Sequence, residues 1–140
     1  MRTPTEQVRF SMTEIPKPPD EAPAIRILAM PADTNASGDI FGGWLMSMMD
    51  MAGANVAYER AGGRVATVAV NQIEFHGPVL VGDLVSCYAK VIRTGRTSLA
   101  TKVEVWVRGR SGGEALKVTE GEFTFVAIDE NRVPRPLQKV

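Results

Sequence analysis

Asn35-Ala36-Ser37-Gly38-Asp39-Ile40-Phe41-Gly42-Gly43-Trp44-Leu45-Met46-Ser47-Met48-Met49-Asp50 runs from a polar, glycine-punctuated loop into a markedly apolar segment. The segment continues to Tyr58 with helix formers, several methionines and no proline, which predicts a helix over 43–58. Trp44, Leu45, Met46, Met48, Met49, Met51, Ala52, Ala54, Val56 and Ala57 leave it almost no polar face. A helix apolar nearly all round is a buried one. It is short for a membrane span, and Asp50 interrupts it. Asp50 is the anomaly, because a carboxylate midway along a buried helix costs free energy unless something pairs with it or uses it.

On the N-terminal side, Ala24 to Met30 is a short apolar run ended by Pro31 and reads as a first strand. Met1 to Pro23 holds Pro16, Pro18, Pro19 and Pro23 among charged and polar residues. Such a segment buries too little apolar surface to offset the entropy of ordering, so it is expected to be a loose arm. On the C-terminal side, Gly62-Gly63 is the expected helix stop. Beyond it the apolar period becomes two. Val65, Thr67, Val68, Val70, Ile73 and Phe75 mark a strand closed by Gly77-Pro78. Further strands are expected over Asp83–Arg93, Leu99–Val107 and Ala115–Ile128, with turns at Gly95 and across Arg108–Gly113.

One strand, one long helix and four strands joined by short turns give an α+β architecture, an antiparallel sheet wrapped around a buried helix. The short turns imply that the last four strands are antiparallel neighbours. The expected boundaries are an arm over 1–23, a domain over 24–130 and a tail over 131–140. One small sheet gives the helix too little cover, so burial against a second, symmetry-related subunit is expected.

The chain has 140 residues, 44% of them hydrophobic, which fits one domain with a real core. Sixteen basic and sixteen acidic residues cancel, which argues against a nucleic-acid binder acting through a general basic field. One cysteine, Cys87, excludes an intrachain disulfide and reads as an inert small hydrophobe. No ligand set at usable spacing suggests a metal, and no phosphate loop of the nucleotide-binding type is present. The N-terminus lacks a signal-like apolar core, so the cytoplasm is the expected compartment.

Gly42-Gly43 at a helix start exposes backbone N–H groups with no intrahelical partner. Together with the helix dipole, such donors can hold an anion or a developing oxyanion. The plain alternative is two glycines that merely allow tight packing. Asp50 lies seven residues after Gly43 on nearly the same face, ~10 Å along the axis. The N-terminal lean of helical side chains shortens the gap to ~7 Å. That space fits a carbonyl on the N–H groups and a water held by the carboxylate, which suits general-base hydrolysis of an acyl group or direct carboxylate attack. Ser47 and Met46 sit between them. A carboxylate with only a structural role is the alternative. Asn35 could orient water or hold the acyl carbonyl, or simply shape its turn. His76 has no nucleophilic serine or partner acid to make a triad and reads as structural or peripheral. Gly95-Arg96-Thr97-Ser98, next to Arg93, is a turn with a cation and two hydroxyls that can hold phosphate oxygens.

The pattern Asn35-x-x-Gly38-x-Ile40-Phe41-Gly42-Gly43-Trp44-Leu45-Met46-x-x-x-Asp50 closely resembles the hot-dog-fold acyl-CoA thioesterases of the YciA-like bacterial branch. Phe75-x-x-Pro78-Val79-x-x-Gly82-Asp83, Gly95-Arg96-Thr97-Ser98, Glu104-Val105-Trp106-Val107 and Phe123-Thr124-Phe125-Val126-Ala127 extend the likeness across about residues 24 to 130. The resemblance implies a hot-dog domain, a dimer with sheets joined edge to edge, and commonly a trimer of dimers. It implies hydrolysis of acyl-CoA to free acid and coenzyme A without metal or cofactor. By the same resemblance Asp50 matches the catalytic carboxylate, Gly42 and Gly43 the donors that polarise the carbonyl, and Asn35 a loop residue near the reaction centre. Arg96 to Ser98 match the coenzyme A-binding turn. Ser47, Phe75, His76, Pro78, Arg93 and Gly95 complete the expected substrate-binding set, with His76 included by position alone. A thioester suits this modest equipment, because its carbonyl is electrophilic and thiolate leaves readily.

Two other readings compete. A binding or sensing hot-dog domain would hold acyl-CoA without turnover and would not need Asp50. A hydratase on the same fold would pair a histidine with an acid, and His76 is poorly placed in sequence to meet Asp50.

Overall fold

The computed structural model describes residues 15–139, so the expectation for the start of the arm, 1–14, lies outside the described residues. The helix, α1, spans Gly42–Ala61. It runs past Tyr58 because Glu59, Arg60 and Ala61 are all good helix formers. It stops where expected, at Gly62 in the left-handed conformation (φ 74°), whose N–H donates to the Tyr58 carbonyl.

The strands are β1 (Ile25–Leu28), β2 (Val65–Phe75), β3 (Leu84–Thr94), β4 (Ser98–Gly109) and β5 (Gly112–Ala127). They form one five-stranded sheet in the order β1-β3-β4-β5-β2, and every pair is antiparallel. One expectation fails. The four strands after the helix are not successive neighbours, because β2 pairs with β5 and β3 lies between β1 and β4. The connection over 76–83 is a crossover rather than a hairpin. It is tied down on the way by Ile40 N–H donating to the Val79 carbonyl (3.2 Å) and by Ala29 N–H donating to the Asp83 carbonyl (2.9 Å).

The inner face of the sheet buries Val85, Cys87, Leu99, Val103, Val105, Val107, Phe123 and Phe125 against Trp44, Leu45, Met49, Ala52 and Ala57 of α1. The Val, Leu, Phe and Met side chains among them stabilise the fold by about 1.5–3 kcal/mol each. Helix and sheet approach closely at Gly53, where a Cβ would sit 2.9 Å from Thr101 Oγ1 and 3.1 Å from the Phe125 ring. Cys87 is fully buried, and burial pushes its thiol pKa up to about 12.

The sheet covers only one side of α1. Met46, Met51 and Tyr58 remain 38%, 49% and 54% exposed. On β2, the sheet edge, Val68, Val70 and Phe75 are likewise exposed. Uncovered apolar side chains thus lie on the helix and on β2, and also at the opposite edge of the sheet, where Ile27 and Leu28 of β1 and Met30 just beyond it are exposed. No helix among the described residues is long and apolar enough to cross a membrane.

Candidate active site

The start of α1 is open. Phe41 is its N-cap, extended (φ −79°, ψ 149°) and without a side-chain capping bond. The Trp44 N–H turns back to the Phe41 carbonyl at 3.1 Å. The N–H groups of Gly42 and Gly43 have no hydrogen-bond partner among the described residues. Two phenyl rings flank them: a Cβ on Gly42 would lie 3.4 Å from the Phe75 ring, and one on Gly43 would lie 3.2 Å from the Phe41 ring. The glycines leave the donors accessible between apolar walls.

Two turns further on, Asp50 is half-buried and accepts a hydrogen bond from Thr67 Oγ1 at 2.6 Å on its Oδ1. Its Oδ2 has no hydrogen bond among the described residues. Thr67 lies on the inner face of β2 opposite Phe125, and the register of β2 shifts between Thr67 and Ala69. A second shift lies between Asn71 and Glu74, where Gln72 has φ 55° just before Phe75. Bulges re-aim side chains, and they concentrate beside active sites. In β2 they lie next to two of the residues that meet α1, Thr67 at the carboxylate and Phe75 at the helix start. This local group of open N–H donors, an oriented carboxylate and apolar walls has the equipment for acyl transfer to water.

The other sequence-predicted residues occupy three environments. Asn35 is exposed, and its side-chain oxygen accepts from the Ser37 N–H (2.9 Å) and Asp39 N–H (3.2 Å), so it holds the loop that leads into α1. Ser47 donates its hydroxyl to the Trp44 carbonyl at 2.7 Å, on the exposed side of the helix. Pro78 lies in the crossover segment. His76 Nε2 lies 3.1 Å from Glu120 Oε2 and 4.0 Å from Glu74 Oε2. No hydrogen bond or ion pair joins it to Asp50. Arg93 is ion-paired with Glu122.

The Gly95–Ser98 segment is the β3–β4 turn, closed by the Gly95 N–H donating to the Ser98 carbonyl at 2.7 Å. It lies at the C-terminal end of α1. Asp50 precedes Ala61, the last helical residue, by roughly 16 Å of axis. Within one chain the turn and the carboxylate are therefore at separate places.

Two partners were not read from the sequence. Thr67 carries no signal beyond its inward register on an alternating strand. Glu120 accepts from Lys117 Nζ (3.1 Å) and lies 3.7 Å from Lys102 Nζ as well as against His76. Burial raises its carboxyl pKa, but the hydrogen bonds from Lys117 and His76 and the charges of Lys117 and Lys102 outweigh that and hold it below its ordinary value.

A thioesterase superfamily model matches residues 37–114, more than half of the chain. The acyl-CoA thioester hydrolase YciA of Salmonella typhimurium is 50% identical over 129 residues, covering 90% of this chain and 97% of the relative. A hexameric thioesterase from Yersinia pestis superposes with a TM-score of 0.82 at 52% identity, covering 87% of this chain and 99% of that one. A hexameric hot-dog-fold thioesterase of Campylobacter jejuni gives a TM-score of 0.79 at 38% identity, covering 84% and 91%. With the open helix start, the oriented carboxylate and the sheet order already in place, these likenesses show that the chain belongs to the thioesterase superfamily, among its hot-dog-fold acyl-CoA thioester hydrolases.

Proposed function

We propose that this protein hydrolyses acyl-CoA thioesters to the free acid and coenzyme A within the domain spanning 24–130. The carbonyl oxygen of the thioester rests on the N–H groups of Gly42 and Gly43, where the positive end of the α1 dipole favours the charge that develops on it. Asp50 supplies either the base that activates a water or the nucleophile itself. Thr67 holds one carboxylate oxygen and leaves the other to work. Phe41, Phe75 and the exposed Met46 line the apolar approach. Asn35 shapes the loop before the helix, and the Gly95–Ser98 turn takes the nucleotide end of the substrate.

The observation that carries the reading is the pairing of Thr67 with Asp50 at 2.6 Å on a helix whose first two N–H groups are open. The uncovered apolar surface on α1 and β2 supports a homo-oligomer in which a second chain completes the site; the assembly we propose is a dimer built into a trimer of dimers, and the compartment the cytoplasm.

The test sets hydrolysis against mere binding. Wild-type protein is offered a panel of acyl-CoAs, with thiol release and calorimetric binding measured on the same preparations. Catalytic turnover of at least one acyl-CoA is expected. Saturable binding without thiol release across the panel would favour a sensing domain instead.

A further inference from the structure

The segment after β5 is fastened to both the helix and the sheet it passes. Asp129 reverses it: Oδ1 accepts the N–H groups of Asn131 (2.8 Å) and Val133 (2.9 Å), and Arg132 turns through φ 64°. The segment then runs back along the end of β5, with the Arg135 N–H on the Ala127 carbonyl (2.9 Å) and the Leu137 N–H on the Arg96 carbonyl (2.9 Å). Arg135 anchors it, donating Nε to the Ile128 carbonyl (3.2 Å) and Nη1 to the Ala61 carbonyl (3.1 Å) at the end of α1. Arg60 Nη1 closes the far end on the Gln138 carbonyl at 2.7 Å. Leu137 packs its side chain against the core.

The glycines that stop the helix also make room for this segment. A Cβ on Gly62 would collide with the Gln138 side chain, and one on Gly63 would lie 2.8 Å from Arg135 Nη2. On the other side, the Ala127 N–H holds the Thr97 carbonyl at 2.8 Å. Both carbonyls at the apex of the β3–β4 turn are thus fixed, one by β5 and one by the C-terminal segment. The exposed Arg96 guanidinium has no hydrogen bond or ion pair among the described residues.

We propose that residues 134–138 are a strap that sets the β3–β4 turn in the conformation that receives the nucleotide end of coenzyme A, with Arg135 and Leu137 as positioning residues. The proposal rests on the reading of that turn as the coenzyme A-binding element, and it holds whichever chain's carboxylate the turn serves. A turn held in advance loses less conformational entropy when it binds phosphate, so the strap acts on substrate affinity rather than on chemistry.

The test compares an acyl-CoA with the matching acyl-pantetheine, which carries the same thioester but no nucleotide. For Arg135→Ala, KM for acyl-CoA should rise about tenfold with kcat unchanged, while both constants for acyl-pantetheine stay at wild-type values. Arg135→Lys, which can still reach one carbonyl, should recover part of the KM and carries the comparison if the alanine variant does not fold. An equal change on both substrates, or no change on either, overturns the strap. If Arg96→Ala leaves acyl-CoA kinetics untouched, the assignment of the turn fails, and the strap with it. Wild-type protein that turns over neither substrate would overturn the proposed function itself.

Discussion

In the proposed reaction the chemistry rests on how a single carboxylate is held. Asp50 takes one hydrogen bond from Thr67, and in the proposed function its other oxygen serves water or the acyl carbon. A hydrogen bond to a charged group is worth ~1.5–3 kcal/mol. In Thr67→Val, which keeps the shape and removes the donor, kcat should fall roughly tenfold to a hundredfold with little change in KM. Steady-state kinetics at saturating acyl-CoA read this directly. A wild-type kcat would mean that Thr67 does not orient the base. On the outer face of the sheet, Glu120 plays a structural part. Its folded-state pKa lies below its ordinary value of 4.5, so its stabilisation is present above the unfolded value and disappears as pH falls through the folded one. Glu120→Gln should therefore lower the melting temperature near pH 7, and the difference should close on acidification. A gap that persists unchanged into acid would contradict this assignment.

Among the elements, α1 shows why packing overrides propensity. Gly53→Ala would gain ~1 kcal/mol of intrinsic helix propensity. The added methyl would press on Thr101 and Phe125, and such overpacking costs about 1–3 kcal/mol. Denaturant titration should show a net loss of stability, and a gain would mean the helix is free to move off the sheet. Much of this element was legible in the sequence, because a long, mainly apolar run without proline that ends in Gly62-Gly63 has few other solutions. The strands were legible for the same reason, from their alternation. The place of β2 was not. Turn length suggests adjacency, yet the segment over 76–83, with Gly77-Pro78 and Gly82, crosses to β3 while β2 settles beside β5. Partner choice across a sheet depends on which edge the crossover reaches, and that is a tertiary fact. The same limit hid Thr67 and the His76–Glu120 pair, whose meeting depends on register. Asp50 and Gly42-Gly43 stood out because they share one helix, where spacing fixes geometry.

At the scale of the whole molecule, the exposed apolar side chains on α1 and β2 ask for a second chain. β2 pairs with β5 alone, which leaves its other edge open among the described residues, and open edges invite strand pairing. A charge in this surface, Val70→Glu, should shift the assembly toward monomer in light-scattering chromatography and reduce hydrolysis with it. An unchanged mass and rate would place the subunit contact elsewhere. The central claim is that Asp50 performs the hydrolysis, and the most direct measurement is thiol release from acyl-CoA by wild type and Asp50→Asn, with acyl-CoA binding measured on the same samples. Cys87, buried with its pKa near 12, should add no background to the thiol reading. The account predicts that Asp50→Asn binds acyl-CoA as wild type does and loses kcat by about 10²–10⁴-fold. Turnover at the wild-type rate in that variant would contradict it.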